Sequence, residues 1–305
     1  MEYSSINLKP RLRRCLLALA VVVLCFAVPL WQLARFSAAS ELDSYILLIP
    51  FISAYLLWLK RAHLTPSARP ARPLGIVFLL AGGALFAVYW FLLRPKARPI
   101  NDEYLMVMTI CFLLVLYGIA CLLWEFATLR AAAFPLGFLV LLTPAPPALI
   151  QRLDTFLQWG SAQAAAAFFS ASGTPFLRDG LTFQLSDIKL AIAPECSGIH
   201  STIVLFITAL LSAYIFLRTP WKRALLVVFV VPLGLLRNGF RVFVIGQLCI
   251  HWGPRMIDSP VHRKGGPIFF VLSLIPLFLM LLLLIKSEKP CGRQLTKTGS
   301  QTCPN

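Results

Sequence analysis

The chain has 305 residues, of which 59% are hydrophobic and only 13% charged, with a mean hydropathy of +0.80. A soluble domain averages about 25% charged residues, so a water-soluble fold is excluded and lipid must replace water around most of the chain. The net charge of +16 does not indicate a nucleic-acid partner, because the basic residues are not gathered into one stripe with interleaved aromatics; they stand in short clusters between apolar runs, as topology signals do.

About 20 apolar residues cross a hydrocarbon core. In chain order the candidates are 15–34, 44–59, 74–93, 104–124, 131–147, 197–217, 224–250 and 265–285. The first follows Lys9, Arg11, Arg13 and Arg14, is not closed by an Ala-x-Ala site, and is predicted to be a signal-anchor span. The second is short, and the fifth is broken by prolines at 144, 146 and 147. The prediction is an all-α integral membrane protein with about eight transmembrane helices.

One insertion departs from that pattern. Residues 148–172 read as a helix, apolar on one side, with Gln151, Arg152, Asp154 and Gln158 as its polar residues; it is predicted to lie at the interface or to pack as a partial span. Gly173-Thr174-Pro175 and Arg178-Asp179-Gly180 are turn signals. Residues 181–185 and 188–192 alternate with period two across Ser186-Asp187, which predicts a β-hairpin. The chain is thus expected to be a single membrane domain over 1–305: N-terminal spans in 1–147, an outer-face helix and hairpin in 148–196, catalytic spans in 197–285 and a tail in 286–305.

Charge predicts the orientation. With a cytoplasmic N-terminus and eight spans, the inner segments hold sixteen Lys/Arg and three acids, whereas the outer segments hold ten and nine. That bias predicts both termini inside, and the expected location is the cell inner membrane.

Charged and reactive groups in or beside lipid are costly to place and therefore informative. Cys196 precedes the sixth span at its outer N-terminus, where unpaired backbone N–H groups favour an anion and raise the thiolate fraction. Ser197 and Gly198 beside it are small enough to admit a substrate backbone. Arg241 falls just inside the outer boundary of the seventh span, with Asn238 on the same helical face and Arg237 about one turn deeper. His262 lies in the last outer loop, ahead of the eighth span. A nucleophile, a charge stabiliser and a proton-transfer group in one layer form a working set for acyl transfer.

Each residue also has a simpler reading: Cys196 as a packing residue, Arg241 snorkelling to phosphates, His262 as an ordinary loop histidine. His200, four residues after Cys196, is an alternative base. Cys196, His200 and His262 as a metal set would make the chain a metal-dependent membrane hydrolase, the alternative reading within the enzyme class, but no dense ligand spacing such as His-Glu-x-x-His accompanies them, so neither a metal nor another cofactor is expected. His63 and His251 are expected to be structural or solvated, His251 in an outer loop. Most of the eight cysteines lie in spans or the tail, and only Cys249 shares the outer layer with Cys196; there is no disulfide framework, although a Cys196–Cys249 bridge stays open. A different class, a transporter or channel whose Arg237, Asn238 and Arg241 line an anion path, predicts that Cys196 is dispensable.

Three segments in order, Pro194-Glu195-Cys196-Ser197-Gly198-Ile199, Asn238-Gly239-Phe240-Arg241-Val242, and His262 with Gly265-Gly266 before the final span, resemble the signatures of the exosortase/archaeosortase family. The resemblance covers roughly 150–285, and 1–130 match as generic spans. It implies a membrane cysteine protease or transpeptidase acting on exported proteins that end in a tripartite sorting signal: a short motif (Pro-Glu-Pro in the commonest class), a transmembrane helix and a basic tail. By position it implies Cys196 as nucleophile, Arg241 as stabilising arginine and His262 as general acid/base, with Asn238, Ser197, Gly198 and His200 in support. A histidine at the third position is similar to the bacterial enzymes, whereas His200 stands where many relatives carry arginine.

Overall fold

A computed structural model describes residues 8–60, 71–93, 102–185, 188–192, 197–253 and 266–288. The described elements are helices and one small sheet. The chain divides into two compact units, 1–151 and 152–305.

The first unit holds α1 (Leu8–Cys25), α2 (Ala27–Ala39), α3 (Ile49–Leu59), α4 (Arg72–Val88), α5 (Asp102–Leu123) and the short α6 (Phe126–Ala131) and α7 (Ala133–Phe138). Helices α4 and α5 form its tightest pair. A Cβ on Gly75 would lie 2.9 Å from the Gly118 carbonyl oxygen, and one on Gly118 would lie 2.7 Å from Leu79. Small residues therefore let the two backbones approach, as packing inside a bilayer requires. Ser53 donates to the Pro135 carbonyl at 2.7 Å, so the buried hydroxyl of α3 is satisfied by the chain at α7.

The second unit holds most of α8 (Pro147–Ala171), strands β1 (Leu177–Asp179), β2 (Thr182–Gln184) and β3 (Lys189–Ala191), and the long helices α9 (Ile199–Phe216), α10 (Pro220–Trp252) and α11 (Gly266–Ser287). Leu205 of α9, Leu226 and Val230 of α10, and Leu277 and Leu281 of α11 share one buried cluster. A carboxylate closes this group at one end: Glu288 accepts the backbone N–H of Arg218 and of Thr219, each at 3.0 Å. Thr219 precedes the first turn of α10, so an acid from beyond α11 satisfies donors where the helix dipole favours negative charge.

The predicted hairpin is present, with Phe183 opposite Leu190. The sequence reading missed β1, which pairs with β2 through a two-residue connection beginning at Gly180, φ +59°. Glycine at the first position of such a connection is the type II′ pattern, and what reads as turn residues in Arg178-Asp179-Gly180 is half strand. The sheet buries Phe183, Leu185, Leu190 and Ile192 against Phe169 of α8 and Val242, Ile245 and Cys249 of α10. Arg178 pins it further, donating to Gln163 at 3.0 Å with its guanidinium over Trp159 and Phe183.

Helix α8 crosses α10 at small residues: a Cβ on Gly239 would lie 2.5 Å from the Ala164 Cβ. Of its predicted polar residues, Gln151 and Arg152 are exposed. Gln158 is buried and donates to Asp154 at 3.0 Å.

Five described helices are long and apolar enough to cross a membrane, or up to seven if each bent pair is one span. The expected count of eight is not reached by that measure, for local reasons. Span 15–34 bends by 73° between α1 and α2, where Pro29 has no N–H for the carbonyl four residues back. Segment 44–59 forms only the shorter apolar helix Ser44–Leu59. Pro147 opens α8 rather than closing the preceding span, as suits a proline in a first helical turn. Helix α10 corrects another expectation: it runs 33 residues to Trp252, about 50 Å at 1.5 Å per residue, and so carries His251 on its last turn instead of leaving it in a loop.

Candidate functional site

The backbone enters the candidate site from β3. The Ile192 amide donates to the Leu181 carbonyl at 3.0 Å, and the Ile192 side chain is buried in the sheet–helix cluster. The chain re-emerges at Ser197, which is 1% exposed. Cys196, between these two anchors in sequence, lies outside the described residues, as does His262.

Gly198 precedes α9 in the left-handed region, φ +74° and ψ 20°, which only glycine adopts without strain. Its carbonyl gathers four donors. The Thr202 amide reaches it at 3.0 Å, the Thr202 hydroxyl at 2.9 Å, the Ser201 hydroxyl at 3.1 Å and Arg237 Nη2 at 3.1 Å. Arg237 Nη2 also donates to Thr202 Oγ1 at 3.2 Å. On the other side of Gly198, the Ile199 amide leans on the Ser197 hydroxyl at 3.4 Å.

Arg237 and Asn238 come from the middle of α10 and are both buried. A Cβ on Gly198 would lie 2.8 Å from Arg237 Nη2 and 3.1 Å from Asn238 Oδ1, so the absence of a side chain at 198 is what lets α9 begin against α10. Asn238 donates to Ser161 Oγ of α8 at 3.0 Å, bringing a third helix to the same point. Arg237 also lines an apolar cleft with Phe168 of α8, Phe240 of α10, and Phe269 and Pro276 of α11. In such surroundings a hydrogen bond to a charged group is weakly screened.

Of the sequence-predicted residues, the structure thus brings together Ser197, Gly198 and Asn238. Arg241 stands one turn along α10 from Arg237, on the same side, and is half-buried. His200 sits in the first turn of α9 and is exposed. Sequence reasoning missed Ser161 and Thr202. Ser161 is a hydroxyl among alanines on the small-residue face of α8, and Thr202 stands one helical turn beyond Gly198; both spacings were available as signals, but not the helix faces that meet.

A family model for transmembrane exosortases matches residues 37–279, most of the chain and every residue of the candidate site. The chain belongs to the transmembrane exosortase family. The exosortase is accordingly a multi-span integral membrane protein, and its matched region includes α8, α9 and α10, the helices that build the site, and most of α11. No curated protein and no solved structure matches the chain.

Proposed function

We propose that this exosortase is a membrane cysteine peptidase or transpeptidase that cleaves the C-terminal sorting signal of exported proteins. The supporting observation is the contact of Gly198 with Arg237 and Asn238. It sets the start of α9, two residues after Cys196, against the α10 turn that precedes Arg241. In this reading the Cys196 thiolate attacks the scissile carbonyl of a substrate whose own helix lies in the bilayer. Arg241 stabilises the oxyanion. His262 protonates the departing amine, and the acyl-enzyme passes to water or to an amine acceptor. Ser197, Gly198, Asn238 and His200 support the site, and no metal or cofactor takes part.

The proposed setting is the cell inner membrane, with both termini cytoplasmic and residues 148–196 and the active site on the outer face. The basic bias of the inner segments supports this orientation. Reporter fusions at Pro220 and Ser186 should then report opposite compartments; the same compartment for both would remove the catalytic layer.

The nucleophile is tested directly. Cys196→Ala and Cys196→Ser should both abolish release of a substrate bearing motif, helix and basic tail, while the protein still accumulates in the membrane. Serine fails because its hydroxyl does not ionise with modest activation. Cys249→Ala should remain active, since Cys249 packs in the core between α10 and the sheet. Release at the wild-type rate by Cys196→Ala would overturn the cysteine mechanism.

A further inference from the structure

Arg237 is only 8% exposed, inside a helix long and apolar enough to span the membrane. Its hydrogen bonds among the described residues go to a carbonyl and a hydroxyl, not to a carboxylate. Its Nη1 is buried without a partner among those residues. An ion in such a place is costly and is ordinarily kept for a function. Arg241 follows four residues later on the same side, so the two guanidiniums oppose each other and packing alone would not select this arrangement.

What Arg237 touches defines its task. Its Nη2 bridges Gly198 O and Thr202 Oγ1, the first and last members of the opening turn of α9. Gly198 is the left-handed residue at which the chain turns into that helix. The bridge runs from α9 to α10, the helix that also carries Arg241. We propose that Arg237 is a positioning residue: by holding the Gly198 carbonyl it fixes the first turn of α9 on α10, and with it the backbone leading from Cys196 into the helix. The proposal rests on Cys196 being the nucleophile. Arg237 touches neither substrate nor reacting atoms in this role. It sets the distance between the nucleophile's helix and Arg241, and keeps the backbone donors at the start of α9 aimed where a thiolate is favoured.

The test compares Arg237→Gln, Arg237→Lys and Thr202→Val in full-length protein in which the cysteines other than Cys196 are replaced. Three readouts are taken: kcat and KM for substrate release, the pH dependence of Cys196 alkylation by a small thiol reagent, and the unfolding midpoint. A displaced nucleophile costs on the order of 10²-fold in rate. Arg237→Gln should therefore lower kcat by that order with KM changed by less than about threefold, and should move the alkylation midpoint to higher pH. Arg237→Lys keeps a donor for Gly198 and should lose less. Thr202→Val should lose about tenfold, and the Thr202→Val/Arg237→Gln double variant should be no worse than Arg237→Gln alone, because both act through one network.

If Arg237→Gln unfolds more easily but its folded fraction keeps wild-type kcat and the wild-type alkylation profile, Arg237 is structural only and the proposal falls. Should Arg237→Gln fail to accumulate, Thr202→Val decides: wild-type kcat and alkylation overturn the proposal, a loss in both supports it. Failure of the underlying reading looks different, since Cys196→Ala would then still release substrate. In that event Cys196 is not the nucleophile, and the positioning role falls with that reading whatever the alkylation profile of Arg237→Gln.

Discussion

Replacing Gly198 with alanine tests whether the start of α9 is held as tightly as its geometry implies. Two costs are expected. A left-handed conformation costs a residue with a Cβ about 1–2 kcal/mol. The added Cβ would then meet Arg237 Nη2 at 2.8 Å and Asn238 Oδ1 at 3.1 Å. An arginine tip usually swings aside at little cost, but this one is tied to Gly198 O and Thr202 Oγ1. Displacing it sacrifices a charge-assisted hydrogen bond of about 1.5–3 kcal/mol. The total for Gly198→Ala is therefore about 2.5–5 kcal/mol. Gly180 provides the control, because it has φ +59° and nothing within 4 Å of a built Cβ. Gly180→Ala carries only the conformational cost of about 1–2 kcal/mol. Both variants are compared by reversible unfolding in mixed detergent micelles and by the rate of substrate release. Gly198→Ala should be the less stable by about 2 kcal/mol and should lose activity. Gly180→Ala, in the turn between β1 and β2, should keep it. Equal destabilisation by the two substitutions would refute the argument that Arg237 is held in place against Gly198.

Two further outcomes are expected. Arg241→Lys should badly impair substrate release, because a point-charge ammonium does not reproduce the guanidinium fork. Arg237→Lys should be milder, and equal losses in a release assay would remove the distinction between the two arginines. Glu288 gives a pH dependence. The N–H groups of Thr219 and Arg218 hold its carboxyl below the ordinary value of 4.5. A depressed carboxylate stabilises the fold above its unfolded pKa, and that contribution disappears as pH falls through the lowered folded value. The unfolding-midpoint difference between wild type and Glu288→Gln should thus be present near neutral pH and vanish in acid; a difference that grows on acidification would contradict the assignment.

The membrane class, most helical segments and the hairpin were legible in the sequence because each depends on a local rule. A bilayer demands long apolar runs whatever they pack against. The alternation over 181–192 requires only that one face of a hairpin be buried. Pro194 to Ile199, Asn238 to Val242 and His262 carry the family resemblance as short strings, and the family match agrees with them. Tertiary structure alone decided the rest. The packing of Val242, Ile245 and Cys249 of α10 against the sheet is a contact that hydropathy cannot see. The strand at Leu177–Asp179 exists because β2 offers it an edge. The network of Gly198, Thr202, Arg237, Asn238 and Ser161 depends on which faces of α8, α9 and α10 meet. In the sequence Arg237 is a second basic residue near Arg241, and Thr202 and Ser161 are unremarked hydroxyls. Hydrogen bonds between residues 35 and 77 positions apart are set by helix packing, and the small residues that permit the close approach become informative only once their neighbours across the helix interface are known.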